Sequence, residues 1–153
     1  MSLHFIVSIE DQKAIGMLEL ETLQSAYTAH FLLPDCSLEL SLATPEEIRE
    51  LNREYRQIDA PTDVLSFPTF TSLKEINSVP EGTNALIGSI IICPEKASEY
   101  KETLPQLVHH GLLHILGFDH ERDPQEWYAQ EVQVLAIIAK KGLNIEGVPH
   151  EQL

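Results

Sequence analysis

The chain has 153 residues, a formal net charge of −14 and 43% hydrophobic residues. That length suits one domain, here residues 1–153, with a core of its own, and the apolar fraction excludes a disordered chain. Only 10 Lys and Arg stand against 24 Asp and Glu, which argues against a nonspecific polyanion binder, since phosphate contacts need cations.

In chain order, Leu3–Glu10 is a β-rich apolar run and reads as a strand. Its surroundings lack the basic segment and cleavage site of a signal peptide. No apolar run approaches the ~20 residues of a membrane span. No membrane association and a cytoplasmic location are expected. A helix is expected from Asp11 to Phe31, with Asp11 as N-cap and Ile15, Leu18, Leu23, Ala26 and Tyr27 at helical spacings. Leu38, Leu40 and Leu42 alternate with polar residues, as in a half-buried strand. Thr44, Pro45 and Glu47 form a capping-box start for the next helix. Its apolar stripe is Ile48, Leu51 and Tyr55. Arg49, Arg53 and Arg56 make a second stripe, with Glu46 and Glu50 as expected partners of Arg49 and Arg53.

Pro61 and Pro68 bracket a short strand, DVLSF. Residues 69–84 are polar, with Pro80 and Gly82, and read as a mobile loop. ALIGSIIIC reads as a buried strand and PEKASEYKE as a short helix. Thr103 and Gln106 cap a helix that is apolar on most sides, central by that pattern, and stopped at Gly117. Asp123 and Pro124 open a last helix that ends at Lys140, Lys141 and Gly142. Strands mix with about five helices without strict alternation, so the fold class is α+β. The cysteines, Cys36 and Cys93, sit in apolar contexts and imply no disulfide framework.

The stretch VHHGLLHILGFDH, Val108 to His120, concentrates histidines. At ~100° per residue, His110 and His114 share one helix face, while His109 points roughly 100° away. A chain turning at Gly117 can bring His120 back to that pair. Three neutral imidazoles suit Zn²⁺ and leave a fourth position open, as in catalytic rather than structural sites. His109, His4, His30 and His150 read as ordinary packed or surface histidines. The spacing resembles the H-E-x-x-H-x-x-G-x-x-H metalloproteases, but Gly111 stands where their general-base Glu belongs. Asp119 or Glu121 could substitute, though nothing in the spacing requires it. Asp119 could instead orient a ligand histidine or simply face solvent.

These residues resemble a known family. HGLLHILGFDHE, His110 to Glu121, looks like the H-G-x-L-H-x-x-G-[YF]-D-H signature of the YbeY endoribonucleases, bacterial rRNA-maturation factors. LNREYRQIDAPTDVLSFP, Leu51 to Pro68, resembles that family's second conserved stretch. The resemblance implies a small α+β domain with the histidine helix packed on a four-stranded sheet. It implies zinc, one per chain, on His110, His114 and His120, and a role for Arg56 in RNA cleavage. It further implies single-stranded rRNA as substrate, in small-subunit RNA processing and ribosome quality control, with ribosomal proteins or assembly factors as further partners. One departure stands out: where the family commonly has G-D-I, this chain has Gly88, Ser89 and Ile90.

The physical case for Arg56 is separate. A guanidinium is always charged and grips phosphate bidentately, and charge developing on a phosphodiester needs such a partner. A cationic strip from Arg49 to Arg56 would offset the acidic whole. Two other readings use the same residues: a metallopeptidase-like hydrolase, and a zinc-stabilised, non-enzymatic module whose acidic surface docks on a ribosomal protein.

Overall fold

The computed structural model describes residues 2–147. His150, expected to be an ordinary histidine, lies outside them. Strands are β1 Leu3–Ile6, β2 Cys36–Leu42, β3 Val64–Pro68 and β4 Ala85–Ile92. Helices are α1 Ile9–Ile15, α2 Met17–Phe31, α3 Pro45–Arg56, α4 Leu73–Ile76, α5 Pro94–Glu99, α6 Leu104–Ile115 and α7 Pro124–Lys140. The sheet runs β1-β2-β4-β3, with β1, β2 and β4 parallel and β3 antiparallel to β4 at the edge. The α+β class and the four-stranded mixed sheet are therefore as expected.

Ile87, Ile90 and Ile92 of β4 are 0% exposed in the large core, Ile91 packs partly buried on the other face, and Leu86 is 39% exposed. On one face α6 lies across β3 and β4, with α2 and α7 beside it, and these share the large core. On the other face α3 covers Leu65 and Cys93 with Ile48. No helix among the described residues is long and apolar enough to cross a membrane. Cys36 and Cys93 are both free and buried. Burial, and then Asp35, push the Cys36 thiol up to about 11.

Three boundaries differ from the sequence reading. The strand ends at Ile6, and Ser8 rather than Asp11 caps the first helix, accepting from the Asp11 N–H. That helix is two, because Gly16 takes φ 117°, a left-handed value that breaks the run. Asp11 instead accepts from the Leu42 N–H at 3.3 Å, tying α1 to β2. Within 69–84, Ser72 caps the short α4 by accepting from the Glu75 N–H, and Ile76 is 0% exposed. The segment is thus anchored to the core rather than a wholly loose loop. With α1 separate and α4 present, the helices outnumber the expected five.

Candidate metal centre and cleft

The local sequence makes α6 start and stop where the ligand pattern needs it. Thr103 accepts from the Gln106 N–H at 3.2 Å, and the Gln106 side chain accepts from the Thr103 N–H at 3.3 Å. Gly117, at φ 96°, ends the helix, and a side chain there would press on Ser72 and Thr71. The Phe118 N–H returns to the Leu113 carbonyl at 3.1 Å, and Phe118 packs on Phe31. The Asp119 carboxylate accepts from the Glu121 N–H at 2.9 Å, which shapes the loop that delivers His120. Burial works against that carboxylate's charge, but the Glu121 and Arg122 N–H groups, His114 and His120 outweigh it and hold its pKa low.

His110, His114 and His120 converge as the spacing predicts. One ring nitrogen from each lies within 4.8 Å of the others. A tetrahedral ion ~2.0–2.1 Å from each nitrogen sets them roughly 3.4 Å apart, so small side-chain shifts bring the group onto one ion. His110 is 2% exposed and His120 9% exposed. Burial, then the neighbouring His120, lower the His114 pKa, so the neutral imidazole that a metal needs is the favoured form. Trp127, the only tryptophan of the chain and 1% exposed, touches all three rings at centroid distances of 4.8–5.2 Å. It forms the apolar floor of the group. The donor set and its shielding together fit a resident metal ion.

His109 does not join them. It is 0% exposed, with Nε2 3.0 Å from the Glu131 carboxylate and Nδ1 2.7 Å from the Tyr27 hydroxyl. The Tyr27 O–H donates to the His109 carbonyl at 3.0 Å, which leaves the Tyr27 oxygen to accept from Nδ1–H while Nε2 faces the Glu131 carboxylate. Burial, then Glu131, raise the Tyr27 pKa, so that hydroxyl keeps its proton. His4 and His30 also lie apart, hydrogen-bonded to Ser2 and Gln130.

The three histidines open into a cleft of about 820 Å³ lined by β3, by the turn after α6, and by Tyr55 and Arg56 at the end of α3. Arg56 makes no ion pair among the described residues and faces this space. The other two arginines of the stripe are spent elsewhere. Arg49 binds Asp59 through two nitrogens, at 2.8 and 3.2 Å, and Arg53 binds Glu50 at 2.8 Å. The expected cationic strip therefore reduces to Arg56. Arg49 pairs with Asp59 instead of Glu46 or Glu50, because Gln57 adopts a left-handed turn and reverses the chain. Asn52, 2% exposed, secures that reversal by donating to the Ala60 carbonyl at 2.9 Å.

The sequence reading missed Trp127, which packs on the three rings, and Arg122, which lines the cleft. Trp127 lies on α7, and nothing in the histidine spacing points there. Arg122, two residues past His120, lines the cleft while donating to the Gly117 carbonyl at 2.8 Å.

Asp63, which lines the cleft, and Glu102 are 2% and 8% exposed. Counted as ionised, both are acceptors, and three of their four oxygens lack a partner. A proton on Glu102 removes the conflict, since its O–H can then donate to Asp63. Burial, then Asp63, push the Glu102 pKa from an ordinary 4.5 to about 8. Across that window the unfolded chain releases a proton that the folded chain keeps. Stability should therefore fall as pH rises from about 4.5 and level off above about 8. Glu102→Gln keeps a donor toward Asp63 and cannot ionise. Its melting temperature should match wild type near pH 5 and exceed it at pH 9 by roughly 3–6 °C. Thermal melts from pH 5 to 9 that run parallel for the two proteins would refute the shared proton.

Fold and site together define a small α+β protein of the metal-dependent hydrolase class. A family profile described as Endoribonuclease YbeY matches residues 7–137. The chain belongs to the endoribonuclease YbeY family. The protein of that name from Sulfurovum sp. (strain NBC37-1) is 36% identical over 139 residues, covering 87% of this chain and 90% of its own. The one from Aliarcobacter butzleri (strain RM4018) is 42% identical over 125 residues, covering 76% of this chain and 83% of its own. The solution structure of TM1509 from Thermotoga maritima is similar with a TM-score of 0.53 and 26% identity, over 90% of each chain.

Ser89, the departure noted above, pairs with Phe67 and Glu39, on the sheet face that α3 covers. Gly111 and its neighbours Ile90 and Ser66 lie on the opposite face. A carboxylate at position 89 would thus lie across the sheet from the three histidines. Ser89 Oγ instead donates to the Glu39 carboxylate at 3.2 Å.

Proposed function

We propose that the protein is a zinc-dependent endoribonuclease that cuts single-stranded stretches of ribosomal RNA during maturation and quality control. The observation that carries this reading is the convergence of Arg56 and the three histidines on one cleft. Zinc, when bound, acts as a Lewis acid and lowers the pKa of its water to ~7. His110, His114 and His120 would hold it with neutral imidazoles, and Trp127 keeps bulk water from the buried side. Arg56 would grip a phosphate oxygen and stabilise the negative charge that develops as the ester is cleaved. The charge objection is met locally. Arg56, Arg122 and a divalent ion outweigh the nearby carboxylates Asp63, Asp119 and Glu121 in the cleft lining.

Two observations disfavour the peptidase reading. A Cβ on Gly111 would stand 2.8 Å from Ile90 Cδ1 and 3.0 Å from Ser66 Oγ, so α6 sits too close to the sheet for a glutamate there. The edge strand is also poorly equipped to pair with a peptide. The Cys93 N–H bonds to the Asp63 carbonyl and the Thr69 N–H to the Ile87 carbonyl, so β3 turns the backbone of Val64, Ser66 and Pro68 outward. The Val64 N–H is taken by Asp63 Oδ1 at 2.8 Å, and Pro68 has none. Only Ser66 keeps an N–H to offer an incoming strand.

The test is a comparison of substrates with the intact protein purified without chelators. About one zinc per chain is expected, with cleavage of a single-stranded rRNA fragment that stops on chelation and returns with zinc, and no hydrolysis of casein. Casein hydrolysis would favour the peptidase. A stoichiometric complex with a ribosomal protein and no turnover would favour the docking module.

A further inference from the structure

The stripe Ile48, Leu51, Tyr55 reads as one buried face, yet its members fare differently. Ile48 is 0% exposed and Tyr55 is 59% exposed. Tyr55 lies at the last turn of α3, beside the edge strand, where no further strand covers it. Its ring is braced edge-to-face by Phe67 at a centroid distance of 5.3 Å. Both rings line the cleft that holds the histidines, and Arg56 follows directly in sequence. A large aromatic ring held in place and open to solvent, next to a guanidinium with no ion pair among the described residues, has the form of a platform for a flat ligand.

We propose that Tyr55 stacks one unpaired nucleobase of the RNA strand, beside the phosphate held by Arg56. The proposal rests on the RNA reading above and adds a subsite to it. A base in a duplex already has both faces covered by its neighbours, so this platform serves unstacked bases only. Stacking on a ring is tolerant of base identity, so the subsite selects for strandedness rather than sequence. As Tyr55 touches no reacting group, its effect belongs in substrate binding.

The test pairs Tyr55 variants with RNA substrates carrying one abasic nucleotide at successive positions. Tyr55→Phe should cleave as wild type does. Tyr55→Leu retains apolar packing on Phe67 without a π-face, and Tyr55→Ala removes both. Leu and Ala variants should raise KM about 10-fold, within the range of one stacked base, with kcat and zinc content unchanged. In wild type, one abasic position should itself raise KM about 10-fold, and in Tyr55→Leu that same position should cost less than about 2-fold. A merely structural Tyr55 would leave the abasic penalty the same in both proteins, and that result overturns the proposal. If Tyr55→Ala fails to fold, the Leu comparison still decides. Absence of RNA cleavage by wild type would overturn the endoribonuclease reading and this subsite with it. Cleavage with unaltered KM in every variant overturns the subsite alone.

Discussion

His114→Ala should lose its metal and cut RNA at least ~10³-fold more slowly than wild type, as removal of several kcal/mol of Lewis-acid stabilisation requires. His114 is the informative ligand to remove. It is half-buried at the cleft wall, whereas His110 is 2% exposed between α6 and Trp127. Alanine is a better helix former than histidine, so α6 should persist. Circular dichroism should be unchanged, zinc per chain should drop well below one, and cleavage should vanish. A metal-free His114→Ala protein that cleaves at the wild-type rate would end the zinc mechanism. Loss of fold rather than of metal would be visible in the spectrum, and His120→Ala, on the loop after the helix, then provides a second ligand deletion.

Arg56→Ala should leave the zinc content intact and lower kcat by roughly 10²–10³-fold, the usual effect of deleting one preorganised donor to developing charge. The side chain makes no ion pair among the described residues, so its removal breaks no internal contact of that kind. Arg56→Lys separates charge from shape. A lysine retains the positive charge but not the planar fork, so it should recover part of the lost rate. Metal analysis beside single-turnover rates checks both variants. A wild-type kcat in Arg56→Ala would remove this residue from the chemistry. The contrast with Arg53→Ala is a useful control, since Arg53 is committed to Glu50 and should cost little.

The three-histidine group was legible because it is local. A helical repeat places His110 and His114, and one glycine turn places His120, within a single short stretch. What lies across the fold was not. Trp127 meets the three rings only because α7 packs back on α6, a tertiary fact with no trace in the spacing. The Tyr55 stripe was right in periodicity but silent on cover. Helical spacing says which side chains share a face, not where the neighbouring sheet ends. The same limit applied to β3, which Pro61 and Pro68 bracketed as a strand without revealing its direction or its place at the edge. Arg49 shows a third kind of limit. Its helical neighbours are the natural guess for partners, and a left-handed Gln57 turns the chain to present Asp59 instead. The glycine break at Gly16 was readable in principle, but a continuous apolar spacing on both sides concealed it.

His109, dismissed as a ligand, bears on the ligands all the same. Helix α6 is buried almost all round, so hydrophobic contact alone discriminates weakly between rotations about its own axis. A turn of ~100° would carry His109 into the place of His110. The bonds of His109 to Tyr27 on α2 and Glu131 on α7 act as an indexing pin against that turn. They are polar contacts inside an apolar core, unmatched at any other azimuth, and therefore costly to break. Of the two adjacent histidines, one keys the shaft so that the other joins His114 and His120.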